Sequence, residues 1–281
     1  MKLLRVGAPG AETPALLAAD GILRDLSAHV RDIDGETLSP AGLARLAALD
    51  PASLPPVEST PRVGPCVVRP LNFVCIGLNY ADHAAEAGMP IPKEPIVFLK
   101  SLSAFCGPFD DVHIPRGAKK VDWEVELGIV IGTKARCVPE DQAMEHVAGY
   151  CVVNDVSERE YQAERGGTWD KGKGCDTFGP TGPWMVTKDD VPDPQALDLW
   201  CDVDGKRMQS GNTRTMIFGV QHLVSYVSHF ITLHPGDVVA TGTPPGVGLG
   251  IKPEPVFLHA GQVMQAGVQE LGEQRQTLVA L

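Results

Sequence analysis

Asp122-Trp123-Glu124-Val125-Glu126-Leu127-Gly128-Ile129-Val130-Ile131 is the stretch on which the fold turns. It closes on an apolar run, Leu127 to Ile131, that reads as a β-strand. Residues two apart on a strand face the same side, so Glu124 and Glu126 present their carboxylates together, and their repulsion calls for a compensating cation. A hard divalent ion is the natural candidate. Asp155, in Val152-Val153-Asn154-Asp155, sits at the end of another apolar strand and offers a third oxygen. Three carboxylates with water in the remaining positions suit Mg²⁺ or Mn²⁺. A solvated strand face carries the same glutamate spacing, and the pair alone leaves both readings open.

Outward from this strand the chain is a series of short β-rich runs: Phe73 to Ile76, Ile96 to Leu99, Val147 to Val153, Leu197 to Val203, Val238 to Ala240 and Val263 to Val268. Gly- and Pro-rich loops separate them. Few helices intervene, namely Tyr80 to Ala87, a segment from Ser157, and Phe218 to Phe230. The mixture predicts a mostly β fold with peripheral helices and not alternating βαβ units. Residues 1 to about 50 read as a small α+β unit. Apolar stretches at Lys2 to Val6 and Ala15 to Leu26 flank the turn Asp20-Gly21, and a helix follows that Ser39 caps and Pro40 opens. Five prolines between Pro51 and Pro65 exclude a continuous helix or central strand. The expected division is therefore 1–65, a small N-terminal domain with its Pro-rich linker, and 66–281, a larger β-rich domain.

The 281 residues carry 24 Lys plus Arg against 35 Asp plus Glu, a net charge of −11. That balance argues against nucleic acid or an anionic membrane as partner. No apolar run reaches the roughly 20 residues of a membrane helix, and the N-terminus lacks the apolar region of a secretory signal, so a cytoplasmic location is expected. Seven cysteines without C-x-x-C spacing indicate neither a disulfide framework nor a zinc knuckle.

Three further segments carry possible chemistry. In Asn79-Tyr80-Ala81-Asp82-His83-Ala84-Ala85-Glu86 a helix would put His83 and Glu86 on one face, where the carboxylate can orient the imidazole for taking a proton from water. An exposed helix with an incidental H-x-x-E pair is the alternative. In Lys171-Gly172-Lys173-Gly174-Cys175-Asp176 glycines let the backbone approach a ligand and a lysine can face an anion, although a plain surface loop explains it as well. Thr241-Gly242-Thr243-Pro244-Pro245-Gly246-Val247-Gly248 is a turn whose hydroxyl and N–H groups could hold a carboxylate, or a tight turn with no ligand. It lacks the lysine and the spacing of a P-loop.

Taken in order over roughly residues 70 to 250, these pieces resemble the fumarylacetoacetate hydrolase family: N-Y-x-x-H-x-x-E at 79 to 86, D-W-E-V-E-L at 122 to 127, N-D-V-S-E-R at 154 to 159, K-G-C-D-T-F-G-P at 173 to 180 and T-G-T-P-P-G-V-G at 241 to 248. The resemblance implies a β-roll in which Glu124, Glu126 and Asp155 bind Mg²⁺ or Mn²⁺ and His83 with Glu86 sits on a lid. It further implies that Lys173 faces the substrate oxyanion, Arg159 and Gln162 line the pocket, Thr243 takes the substrate carboxylate and Lys100 lies near the site. A homodimer is implied too. Gly174-Cys175 departs from the Ser-Phe of many relatives, beside Lys173. The subgroup most similar is that of 2,4-diketo-3-deoxy-L-fuconate hydrolase and ureidoglycolate lyase.

The expected function is hydrolysis of a carbon–carbon bond in a ketonic substrate, the C3–C4 bond of a 2,4-diketo acid, giving pyruvate and a second acid. Ureidoglycolate cleavage and oxaloacetate decarboxylation are the alternatives on the same site, and a non-catalytic metal-binding protein is the alternative of another class.

Overall fold

The computed structural model describes residues 1–58 and 61–281; residues 59 and 60, inside the expected linker, lie outside this description. Strand Val125–Ile131 is buried at every position, as is its antiparallel neighbour Val147–Asn154. Both lie in the middle of a nine-stranded sheet. On one side of them come Met185–Thr187, Lys2–Val6, Thr13–Leu17 and Leu23–Asp25, and on the other Val238–Ala240, Phe73–Gly77 and Ile96–Leu99. A second sheet holds Lys206–Asn212, Asp198–Val203, Val263–Val268, Gly272–Ala280 and Val112–Ile114 in that order.

Period-two alternation assigns the two faces of the central strands to different cores. Leu127, Ile129 and Val152 pack with Leu199, Met264 and Leu278 of the second sheet. Val130, Cys151 and Val153 point the other way, onto Leu3, Leu38, Met185 and Phe73. Coverage on both faces explains why these strands read as unbroken apolar runs. The N-terminal strands extend the large sheet through pairing of Lys2 and Leu3 with Val186 and Met185. Helix Pro40–Ala47 starts as its sequence predicts, with Ser39 Oγ accepting the Gly42 N–H at 3.1 Å, and it buries Leu46 in the same core.

All the β-rich runs form strands, and helix Val220–Ser228 forms within the predicted segment. The helix expected from Ser157 does not. Ser157–Glu158 pairs with Val121–Asp122 as a short strand, Glu160–Glu164 is helical as a single wide turn, and a further short helix, Asp170–Lys173, carries Lys173. Strands Lys206–Asn212 and Gly272–Ala280 were not foreseen, because buried polar residues interrupt their apolar pattern. Gln274 is 1% exposed, and its amide donates to the carbonyls of Val152, Pro180 and Gly182 at 2.8, 3.1 and 3.0 Å. Removing that shared donor in Gln274→Leu is expected to lower stability by about 1–3 kcal/mol, the usual cost of a buried group left unpaired. Urea unfolding would measure it, and an unchanged midpoint would refute the role. All seven cysteines are free, and no helix among the described residues is long and apolar enough to cross a membrane.

Candidate active site

The two central strands bring the acids together by register. Glu126 lies opposite Val153, and the Asp155 N–H donates to the Glu124 carbonyl at 2.9 Å, so Glu124, Glu126 and Asp155 project from adjoining strand ends on one face. Each offers an oxygen within 4.8 Å of the others, and none is more than 6% exposed. Three cations meet them. Lys173 Nζ lies 2.6 Å from Glu124 and 2.8 Å from Asp155, Lys100 Nζ binds Asp155, and Arg159 Nη1 lies 2.7 Å from Glu124. A fourth acid, Asp122, takes Arg159 Nε at 2.8 Å.

Four carboxylates against three cations leave one negative charge over, and it falls on Glu126. Among the described residues its hydrogen-bond donor is a single backbone N–H, that of Gly242 at 2.8 Å. Burial, then Asp155 and Glu124, push its carboxyl well above the ordinary 4.5. Burial alone would raise Glu124 as well, but Lys173 and Arg159 outweigh it and hold that carboxyl at about 2. Burial opposes the charge on Lys173, yet Asp155 and Glu124 keep its pKa above the ordinary value. An all-oxygen donor set with an unbalanced carboxylate fits a hard divalent cation.

Over this floor lies helix Ala81–Glu86. His83 Nδ1 is 3.0 Å from Glu86 Oε2, and Glu86 in turn accepts the Gly246 N–H at 3.0 Å. Gly246 has φ +101°, and a Cβ there would stand 2.0 Å from the Met208 carbonyl, so only glycine aims that N–H at Glu86. Asn79 anchors the start of the helix by donating to the carbonyls of Phe218 and Thr241 at 3.0 and 2.8 Å, and the Thr215 hydroxyl donates to Asp82. The dyad, Glu124 and Glu126 line one cavity of about 370 Å³, together with Arg159, Gln162, Lys173 and Thr243, whereas Asp155 is not part of its wall.

Several predicted residues do something more specific than line a pocket. The Thr243 hydroxyl donates to the Val125 carbonyl at 2.8 Å and accepts from Gln209, so donation to a ligand would require the first bond to break. Lys100 is absent from the cavity wall and steadies Asp155 from behind, also donating to the Val156 carbonyl. Gln162 accepts from Arg159 Nη1 at 3.1 Å. Cys175 donates to the Lys171 carbonyl, and burial raises its thiol pKa, which disfavours the thiolate. Sequence reasoning missed Asp122, which besides Arg159 accepts the N–H groups of Gly248 and Leu249. Its signal was present: Asp122 sits two residues before Glu124, continuing the alternation of acids. Gln209 carried no such signal.

With this geometry established, comparison with known proteins places the chain. The family described as fumarylacetoacetate (FAA) hydrolase C-terminal matches residues 72–279, and the chain belongs to the fumarylacetoacetate hydrolase family. It is an enzyme with that family's fold. A Burkholderia multivorans protein named only as a hydrolase is 66% identical over 276 residues, 98% of each chain. The solved fumarylacetoacetate hydrolase of Exiguobacterium antarcticum is 35% identical with a TM-score of 0.87, covering 100% of both chains. Maleylpyruvate hydrolase of Sphingobium sp. SYK-6 is 28% identical with a TM-score of 0.81, again over 100% of both. The 2-hydroxyhepta-2,4-diene-1,7-dioate isomerase of Mycobacterium marinum is 30% identical, TM-score 0.75, over 100% of this chain and 98% of its own.

Proposed function

We propose that this enzyme hydrolyses the C3–C4 bond of a 2,4-diketo acid of the acylpyruvate type, giving pyruvate and a second carboxylic acid, with Mg²⁺ or Mn²⁺ held by Glu124, Glu126 and Asp155. The observation that carries the reading is the His83–Glu86 pair, 3.0 Å apart, lining the same cavity as Glu124 and Glu126. When bound, the ion supplies a Lewis acid for the keto-acid end of the substrate.

The chain's own residues supply the rest. Glu86, itself held by the Gly246 N–H, engages His83 Nδ1 and leaves Nε2 free to accept a proton. A water attacks C4 as Nε2 takes its proton. The C3–C4 bond then breaks, and its electron pair passes into the C2 keto group, whose developing negative charge Lys173 and Arg159 face. Nε2 returns its proton to C3 to complete pyruvate, and C4 leaves as the second carboxylic acid, which then ionises. Lys100 holds Asp155, while Gln162 holds Arg159 in line.

Oxaloacetate decarboxylation and ureidoglycolate cleavage would use the same floor, and the isomerase among the structural relatives shows that one fold serves more than one reaction. A general base poised for water supports hydrolysis over these. The test is turnover with added Mg²⁺ or Mn²⁺ against simple acylpyruvates, 2,4-diketo-3-deoxy-L-fuconate, oxaloacetate and ureidoglycolate. Pyruvate and a second acid in equal amounts from a diketo acid is the expected result. Turnover of oxaloacetate or ureidoglycolate with every diketo acid left intact would overturn it.

A further inference from the structure

The turn Thr241 to Gly248 reaches three acids with three glycine N–H groups. Gly242 donates to Glu126 at 2.8 Å, Gly246 to Glu86 at 3.0 Å and Gly248 to Asp122 at 2.6 Å. A floor acid, the dyad and the acid that holds Arg159 are thereby tied to one loop. The first end of the loop is pinned to the central sheet, where the Thr241 N–H and hydroxyl both donate to the Leu127 carbonyl, at 3.0 and 2.9 Å. Its middle cannot fasten itself that way, because Pro244 and Pro245 have no N–H.

Gln209 supplies the attachment. It is fully buried on strand Lys206–Asn212. Its Oε1 accepts the Val125 N–H at 3.0 Å, while Nε2 donates to Thr243 Oγ1 at 2.8 Å and to the Pro244 carbonyl at 2.9 Å. The Thr243 hydroxyl donates back to the Val125 carbonyl, so the ring of bonds closes on the residue between Glu124 and Glu126. Strand and loop also touch on either side of Gln209. A Cβ on Gly211 would stand 2.4 Å from the Pro244 side chain, and one on Gly246 meets the Met208 carbonyl. Trp123 Nε1 adds a tie to the Gly246 carbonyl at 3.0 Å.

We propose that Gln209 is a positioning residue for the His83–Glu86 pair. By fastening the middle of the loop to the strand of Glu124 and Glu126, it fixes the point at which the Gly246 N–H meets Glu86. Its weight in catalysis rests on the hydrolytic reading above, whereas its hold on Gly246 does not. Misplacing a catalytic group by about 1 Å costs on the order of 10²-fold in rate. Trp123 keeps part of the hold on Gly246, so loss of Gln209 alone is expected to cost about tenfold. Glu126 keeps the Gly242 N–H, because Thr241 anchors that end of the loop.

The experiment uses Gln209→Glu, which keeps an acceptor for Val125 and loses both donors. Gln209→Met, similar in shape but without any of the three bonds, serves if the buried acid prevents folding. Amide hydrogen exchange is followed by NMR at Gly242 and Gly246 in the whole chain. Exchange at Gly246 is expected to rise about tenfold with Gly242 unchanged. Equal acceleration at both, or none at Gly246, would overturn the proposal. With a diketo acid that is cleaved, kcat should fall about tenfold while the Mn²⁺ dissociation constant moves by less than about twofold. In a Glu86→Ala background the same substitution should cost less than about twofold, since residues acting through one network are not additive. An unchanged kcat, or the full loss in both backgrounds, would overturn the route through Glu86. If no diketo acid is cleaved, the hydrolytic reading falls on its own, and exchange at Gly242 and Gly246 decides the positioning role unaided.

Discussion

Glu126→Gln is expected to stabilise the metal-free enzyme while abolishing its response to divalent cations. Glu126 is 1% exposed and bears the carboxylate left over when Arg159, Lys100 and Lys173 have been paired with the other three acids. A glutamine keeps an oxygen for the Gly242 N–H and removes a buried charge that repels its neighbours. Relief of about 1 kcal/mol would raise Tm by about 2–4 °C in a chain of this size. The pH dependence has a definite sign. Because the folded pKa of Glu126 is raised, the stability contributed by its proton is full below the ordinary 4.5 and is lost as pH climbs through the folded value. Glutamine suffers no such loss, so the Tm gap between variant and wild type should widen as pH rises above the ordinary 4.5. Wild type should gain about 2.7 kcal/mol at a Mn²⁺ concentration of about 100 times Kd, and the variant nothing comparable. Thermal melts with and without MnCl₂ measure all of this. Equal Mn²⁺ shifts in both proteins would remove Glu126 from the ligand set.

His83→Ala should cost diketo-acid hydrolysis about 10²-fold or more, the scale of a lost general base. The Mn²⁺ shift should persist, because His83 lies outside the carboxylate set. The helix that bears it should also stay docked, since Asn79, Asp82 and Glu86 keep their bonds to Phe218, Thr215 and Gly246. Hydrogen exchange over residues 81 to 86 checks that point. Oxaloacetate decarboxylation needs the floor but no attacking water, and it should fall less than hydrolysis. Equal loss of the two activities with the helix still protected would assign His83 to closure or proton donation and withdraw the main support for hydrolysis.

Legibility in the sequence followed polarity. Strands with an unbroken apolar run were readable, and Val238–Ala240 has the bounds its sequence predicts. Gly272–Ala280 was opaque because Gln274 and Gln276 look like loop residues until the carbonyls they serve are in place. The segment after Ser157 failed for a related reason. Glu158 accepts the N–H groups of Lys119, Lys120 and Tyr161, a long-range commitment that helix periodicity does not register. At the site, the Glu124 and Glu126 spacing and the His83 and Glu86 spacing each announced a pair of neighbours. What joins the pieces was not visible: backbone N–H groups of Gly242 and Gly246 carry no side-chain signature, and Lys100 reaches Asp155 across 55 positions.

The acids of the cavity and part of its exposed lining belong to different kinds of chain. The acids of the floor leave strand ends that hydrogen-bonded ladders hold, so moving one of them means disturbing a sheet. Met89, Leu249 and Lys252 stand outside every strand of the two sheets. A lineage can therefore keep its bond-breaking apparatus as an heirloom while the side chains at these three positions change, because no strand ladder depends on them. For the protein engineer, a library confined to these three codons explores new food for the enzyme at little risk to its trade.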